Sequence, residues 1–429
     1  MFGRKRDLKL GARILKLGTS GSDVGELQQK LKSLGYEPGP VDNYFGYLTQ
    51  EALEFFQRDY RLRIDGIAGE QVYALLKQEK LPVNRRVHVV QPGETITDIA
   101  ARYNVGQQAF RNHKRKLYPG QELIFFDREV WGLLPLDITG NESLTRNKAY
   151  LTGVFIPVSL GKSCREIKSL GASSVKRIAG IELNNNDKQR RNIESASVHT
   201  LLTKRKVRKD FLEFCLQLVE TMDGIYLPWE YIPRVDGNRY YKLIRRLKSR
   251  MKDKRLLIML TPKMPRWNIL GGIDFSAVSR IVNQVVIKLE SWDKSQPLFD
   301  KEKLEAFIHT MLNYIPSYKI LLQIPVYALM WNTTDSASTA VKLSYSEAMT
   351  KVFVHGAKLE TDDDGRMYYV FISKNEEWQL QICTIDQINQ AVALINRYNL
   401  AGLVIDSLGK EDKRLWQVVQ SHFSIQKYL

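Results

Sequence analysis

The chain has 429 residues, 44% of them hydrophobic and 26% charged, a balance that excludes wholesale disorder and a length that calls for two or three domains rather than one core. No run approaches the roughly 18 consecutive apolar residues of a membrane-spanning helix, so no membrane span is expected. Net charge is +17, and residues 136–429 hold 43 basic against 31 acidic residues, so this part of the chain should be drawn to polyanions.

The first 18 residues open with basic groups but lack the apolar middle and small-residue cleavage site of a signal peptide, so no classical secretion signal is read. Cys164, Cys215 and Cys383 are odd in number and far apart, which indicates neither a disulfide framework nor a CxxC site and leaves buried thiols as the expectation. The six histidines form no ligand-spaced pair, so neither a metal nor another cofactor is expected.

From residue 14 to residue 80 the pattern is helical. Val24, Leu27, Leu31 and Leu34 share one face at spacings of three and four, and Gly35 ends the run. A second amphipathic stretch carries Leu53 and Phe56, and a third carries Val72, Leu75 and Leu76. Gly39-Pro40, Asp42, Gly46 and Asp65-Gly66 supply the turns. The text Leu27-Gln28, Leu34-Gly35-Tyr36, Val41-Asp42, Phe45-Gly46, Phe55-Phe56-Gln57 and Asp65-Gly66 resembles the three-helix peptidoglycan-binding domain found beside wall hydrolases. On that resemblance, Tyr44, Phe45 and Tyr47 are the candidate aromatics for sugar or stem-peptide contact.

Residues 85–127 read in the order βααβ. His88-Val89-Val90 alternates as a strand, Pro92-Gly93 turns, and Thr95 with Asp98 has the spacing of a capping box before Ile96, Ile99, Ala100 and Tyr103. Pro119-Gly120 then turns the chain into a strand at 122–126. Val89-Val90-Gln91-Pro92-Gly93-Glu94-Thr95 and Tyr118-Pro119-Gly120-Gln121 resemble a LysM module, which binds N-acetylglucosamine-containing glycans. Gly93, Glu94 and Thr95 then become candidate glycan-binding residues. The Asn-Pro common after the second helix of that family is replaced by Arg111-Asn112-His113-Lys114.

Residues 148–429 alternate strand-like and helical text. Strands are expected at 151–158, 178–183, 198–202, 224–231, 256–260, 285–292, 320–327 and 400–405, a (β/α)8 TIM barrel by count and order. Chemistry in such barrels lies at the C-terminal ends of the strands. The run Asp223-Gly224-Ile225-Tyr226-Leu227-Pro228-Trp229-Glu230 resembles the DGxDxDxE signature of glycoside hydrolase family 18, especially its LysM-bearing, chitinase-like branch that acts on spore-wall peptidoglycan. Arg208 and Phe211, Ile324-Pro325-Val326-Tyr327 and the closing strand match it more loosely.

In that family a glutamic acid protonates the glycosidic oxygen while an aspartate two residues earlier orients the substrate's acetamido group. Glu230 fills the acid position, whereas Pro228 replaces the aspartate and offers neither a carboxylate nor an N–H. The sixth-strand motif reads Glu290-Ser291-Trp292-Asp293, and Asp406 replaces the closing tryptophan. Strand alternation turns Lys288, Glu290 and Trp292 inward, where Lys288 and Glu290 could pair. Glu290 and Asp406 are the candidate partner carboxylates, and Tyr226, Trp229, Trp292, Asp293 and Tyr327 the candidate cleft residues.

The expected protein is therefore multidomain. It binds peptidoglycan or a chitin-like N-acetylglucosamine glycan, resides in the cell wall or spore envelope, and carries either a pseudoenzyme barrel or an N-acetylglucosaminidase that uses Glu230 with a rearranged partner. Nucleic acid is not indicated, because no helix-turn-helix, zinc module or aromatic-basic signature accompanies the charge.

Overall fold

The computed structural model describes residues 8–34, 36, 38–60, 62, 64–78, 85–103, 105–110, 117–159, 175–183, 190–230, 232–261, 274–288, 300–334, 340–362 and 367–426. Among them no helix is long and apolar enough to cross a membrane.

The first module packs α1 (Ser22–Ser33), α2 (Tyr47–Asp59) and α3 (Glu70–Gln78) around Leu15, Val24, Leu27, Leu31, Phe45, Leu53, Phe56, Val72 and Leu76. Two buried glutamines pin its loops in the same way. Gln28 donates to Asp42 Oδ1 at 2.9 Å and accepts from the Asp42 and Asn43 amides, while Gln57 donates to Asp65 Oδ1 at 2.8 Å and accepts from the Asp65 and Gly66 amides. The sequence match at Leu27-Gln28 and Phe56-Gln57 thus marks loop-holding side chains.

The second module contains β1 (Arg85–Val89), α4 (Ile96–Tyr103) and the start of β2 (Glu122–Leu133), with β1 and β2 antiparallel. Ile99, Val105, Phe110, Leu123 and Phe125 form its core. The capping box is present: the Thr95 amide donates to Asp98 Oδ2 and the Asp98 amide to Thr95 Oγ1.

β2 does not stop at the module. Its second half pairs in parallel with β3 (Gly153–Ser159) and with the barrel's last strand, so residues 129–133 are the barrel's first strand, upstream of the expected start at 148. After α5 (Ile138–Asn147) come β3, β4 (Lys176–Glu182), α6 (Arg190–Thr203), α7 (Arg205–Val219), β5 (Gly224–Leu227), α8 (Gly237–Arg250), β6 (Arg255–Leu260), α9 (Phe275–Ile281), β7 (Gln284–Lys288), α10 (Lys301–Leu312) and β8 (Ile320–Pro325). A five-stranded antiparallel insertion follows: β9 (Ala328–Asn332), β10 (Val341–Leu343), β11 (Lys358–Thr361), β12 (Met367–Ser373) and β13 (Glu376–Ile382), with α11 (Tyr345–Val354) on one face. The chain then returns through α12 (Ile385–Arg397) to β14 (Gly402–Asp406), α13 (Leu415–His422) and the short β15 (Ser424–Ile425). Strands β2 to β8 and β14 close into an eight-stranded parallel barrel.

The segment 198–202 is helix, not strand. Val198, Leu201 and Leu202 are buried while His199 and Thr200 are exposed, the three-and-four spacing of an amphipathic helix compressed into five residues. The strand expected there comes instead from β2. The insertion has no counterpart among the expected elements, although its β12–β13 hairpin turns at Lys374 and Asn375, both with positive φ, as a type I′ turn requires.

Inside the barrel, alternate residues stack in layers. The floor holds Glu129, Arg255 and Gln284: Arg255 reaches Glu129 Oε2 at 3.0 Å and Gln284 Oε1 at 2.5 Å, and the Trp131 indole donates to Glu129 at 2.7 Å. Above it, Trp131 stacks on Phe155 and Phe155 packs at a tilt on Tyr226, with centroids 5.1 and 4.6 Å apart, among Ile178, Leu257, Val286, Leu321 and Val404. Only glycine fits at 153, where a Cβ would stand 2.2 Å from the Trp131 ring.

Candidate functional site at the barrel mouth

Two residues beyond the apolar layer, alternation brings Lys288 from β7, Gln323 from β8 and Asp406 from β14 to the C-terminal mouth. Register agrees, since Lys288 lies opposite Gln323 and Asp406 opposite Pro325. Glu230 joins them from the segment after β5. Its placement follows from Trp229, which is buried between the strand and helices α7 and α8, with Phe211 and Tyr240 around it and its indole donating to the Ile181 carbonyl at 2.9 Å. With Trp229 held outside the barrel wall, its neighbour Glu230 turns to the inside.

There Lys288 Nζ donates to Glu230 Oε1 at 2.9 Å, with the side chains 6% and 1% exposed. Lys288 is thus paired across the barrel with Glu230. Glu290, Trp292 and Asp293 lie outside the described residues. Asp406 is buried at the mouth, its backbone followed by Ser407 at positive φ. The Tyr226 hydroxyl has its pKa pushed well above the usual phenol value, first by complete burial and then by the charges of Asp406 and Glu230. Among the described residues, the Tyr226 hydroxyl and Gln323 Oε1 are buried with no hydrogen-bond partner. The mouth therefore combines an ion pair, a second carboxylate and the unsatisfied Gln323 Oε1, a set able to receive a hydroxyl-rich ligand.

Three other candidates stand differently from the expectation. Trp229 belongs to the strand–helix layer, not to the cleft. Tyr226 points inward but is fully covered as part of the aromatic column. Tyr327 is also fully buried, with the Lys342 ammonium 4.1 Å above its ring centroid, because the insertion packs over the end of β8. Arg208 donates to the Leu202 carbonyl at 2.7 Å, and Phe211 packs on Trp229, so both are structural. The thiols of Cys215 and Cys383 are buried, and burial pushes that of Cys383 up to about 12. Cys164 lies outside the described residues.

In the first module Tyr44 and Tyr47 are 50% and 79% exposed, whereas Phe45 is fully buried and belongs to the core. In the second, Gly93 has φ +83° and turns the loop at 91–95. Glu94 holds that loop from below: its carboxylate accepts from the Gln91 amide at 2.8 Å, His88 Nε2 lies 2.7 Å away and Arg102 2.6 Å away. The Gln91 amide and then His88 hold the Glu94 carboxyl down at about 2. The sequence offers Glu94 as a sugar contact, and its ties to His88 and Arg102 give it the work of shaping the loop.

A carboxyl whose folded pKa is lowered adds stability that is complete above the ordinary carboxylate range and is lost as pH falls through the folded value. The NMR signal of the Gln91 amide should therefore keep its native position through the ordinary carboxylate range and move only as pH approaches about 2. Movement already complete around an ordinary glutamate titration would show that Glu94 does not hold the loop.

Comparison with known proteins follows the same three segments. The peptidoglycan binding domain family matches residues 20–76, the LysM domain family residues 88–125, and the family described as Glycosyl hydrolases family 18 residues 191–411. The spore cortex-lytic enzyme of Bacillus cereus is 39% identical over 77 residues, 17% of this chain and 30% of that protein, so the match spans less than a third of the relative. A protein named as a sporulation-specific glycosylase, YdhD of Bacillus subtilis, is 24% identical over 302 residues, 63% of this chain and 70% of that one. Among solved structures, the spore cortex-lytic enzyme SleL of Bacillus megaterium superposes with a TM-score of 0.62 at 16% identity, covering 81% of this chain and 89% of that one, a likeness of fold.

Proposed function

Because the chain belongs to glycosyl hydrolase family 18, whose match takes in more than half of it, we propose that it is a wall-glycan-binding protein whose barrel has kept the family's mouth and given up its hydrolysis. The observation that carries this reading is the Lys288–Glu230 pair. The Glu230 oxygen that would face a glycosidic bond is taken up by a buried ammonium 2.9 Å away, and Pro228 supplies no group to steer an acetamide. Glu230 then serves as an anchoring acceptor, with Asp406 and Gln323 offering further hydrogen bonds to sugar hydroxyls. The exposed Tyr44 and Tyr47 and the loop at 91–95 are the grips of the two N-terminal modules.

The names of the relatives support a place in the cell wall or spore envelope and a ligand of the peptidoglycan or N-acetylglucosamine class. The chain should sediment with purified walls, and soluble N-acetylglucosamine hexamer should release it. Replacing Tyr44 and Tyr47 together by Ala should weaken sedimentation several-fold without changing the far-ultraviolet circular dichroism. Equal sedimentation of wild type and variant would remove the two tyrosines from the grip, and no sedimentation at all would remove the wall as ligand.

A second reading rests on Asp406. It lies buried at the C-terminal end of β14 and with Glu230 gives the mouth two carboxyl groups, the minimum apparatus of a glycosidase. In that reading the Lys288 contact breaks when substrate enters, Glu230 acts as acid, and Asp406 takes the partner role as an N-acetylglucosaminidase would need.

A further inference from the structure

The two glycan-binding ends of the chain are joined by one strand. β2 begins at Glu122, directly opposite Val89, so the LysM loops at 91–95 and 118–121 gather at its first residue. It runs on without interruption into the barrel, where Gly132 lies opposite Ile405, one residue before Asp406 of the mouth. At about 3.3 Å per residue, its 12 residues separate the LysM loops from the mouth by about 35 Å along the strand, one at each of its ends.

The crossing point is clamped from several sides. β15 pairs with Asp127 and Arg128, and Ser424 Oγ donates to Asp127 Oδ1 at 2.6 Å. Arg86 of β1 binds the same aspartate at 2.8 Å, and the Gln426 amide donates to the Arg128 carbonyl at 2.8 Å. Arg128 is 2% exposed and donates to Asn399 Oδ1 at 2.6 Å and to the Leu400 carbonyl at 2.9 Å. Asn399 in turn donates to Asp59 of α2, which also accepts from the Tyr36 hydroxyl at 3.0 Å. The three-helix module is thereby fastened to the same floor. On the LysM side the Gly106 amide donates to the Gln420 carbonyl at 3.0 Å, and a side chain at 106 would collide with Ser421.

We propose that the chain is a rigid two-ended bridge: its N-terminal modules hold one glycan strand at the barrel floor while the mouth, facing the other way, engages a second strand. This rests on the wall-binding reading of the mouth and modules. A strand lying in the LysM loops would have to fold back along the barrel wall to enter the mouth of the same molecule, so the geometry favours joining two strands over threading one.

The test uses the full chain, with spin labels on Thr97→Cys and Leu136→Cys in a Cys164→Ser background, Cys215 and Cys383 being buried. One narrow distance distribution is expected, unchanged when N-acetylglucosamine hexamer is added. A broad distribution, or one that shortens with the hexamer, overturns the rigid bridge whether or not walls are bound. In the second arm, protein already sedimented on walls meets a photoreactive N-acetylglucosamine hexamer. Crosslinks on barrel-mouth peptides are expected, and crosslinks confined to LysM peptides overturn the two-strand proposal. Wall sedimentation, measured beforehand, isolates the other failure: its absence counts against the wall-binding reading, while the distance measurement still decides the rigidity.

Discussion

Glu129→Ala should lower the unfolding free energy by about 3–5 kcal/mol, because it leaves the Arg255 guanidinium in the barrel floor without its carboxylate. Glu129 is 4% exposed and accepts from both Arg255 and the Trp131 indole, so the loss reaches the base of the aromatic column as well as the ion pair. Arg255 also lies 5.2 Å from the Trp131 ring centroid, so one guanidinium joins the charge pair, the glutamine and the indole. Urea denaturation followed by tryptophan fluorescence measures the effect. Because the floor is remote from the mouth, hexamer binding at the mouth below the unfolding transition should be unchanged. A loss under about 1 kcal/mol would mean that water reaches Arg255 and the floor is not sealed.

The Lys288–Glu230 pair provides the second large effect, and it appears as a cycle. Lys288→Met leaves a buried carboxylate without its ammonium, and Glu230→Gln leaves a buried ammonium without its carboxylate, so each alone should cost about 3–5 kcal/mol. Together they should cost much less than the sum, since methionine and glutamine fill the same space with no charge to satisfy. Additive losses would show that the two groups do not act on each other. The cycle also separates the functional readings. If the mouth is a binding site, the double variant stays folded and loses hexamer affinity, because the acceptor at 230 has lost its charge.

Much of the architecture was legible because its signals are local. The glycine, aspartate and aromatic text of the first module and the Thr95–Asp98 capping box lie within short windows, where spacing translates directly into turns and helix ends. Phe45 against its neighbours shows the limit. Three aromatics within four residues look alike in sequence, and only the packing of α2 on α1 decides that Phe45 fills the core while Tyr44 and Tyr47 face outward. The barrel's first strand was hidden for a different reason. β2 serves two domains without a turn or a proline between them, and its charged triplet Asp127-Arg128-Glu129 reads as the end of a strand although the strand runs on through it.

The site was legible in its residues and not in its partnerships. Alternation turned Lys288 inward, yet its partner lies 58 positions away, and only closure of the barrel brings β5 and β7 to the same mouth. The same holds for the floor, where Glu129 and Arg255 are 126 positions apart. Trp229, a candidate cleft residue, directly precedes the candidate acid. The alternation that points Glu230 inward is what sends Trp229 to the helices.

The central claim is that the mouth binds wall glycan without cutting it, and new reducing ends test it most directly. Purified protein incubated with peptidoglycan and with N-acetylglucosamine hexamer should sediment with the wall and release no reducing ends over background. Turnover that disappears in Glu230→Gln would contradict the claim and establish the barrel as a hydrolase.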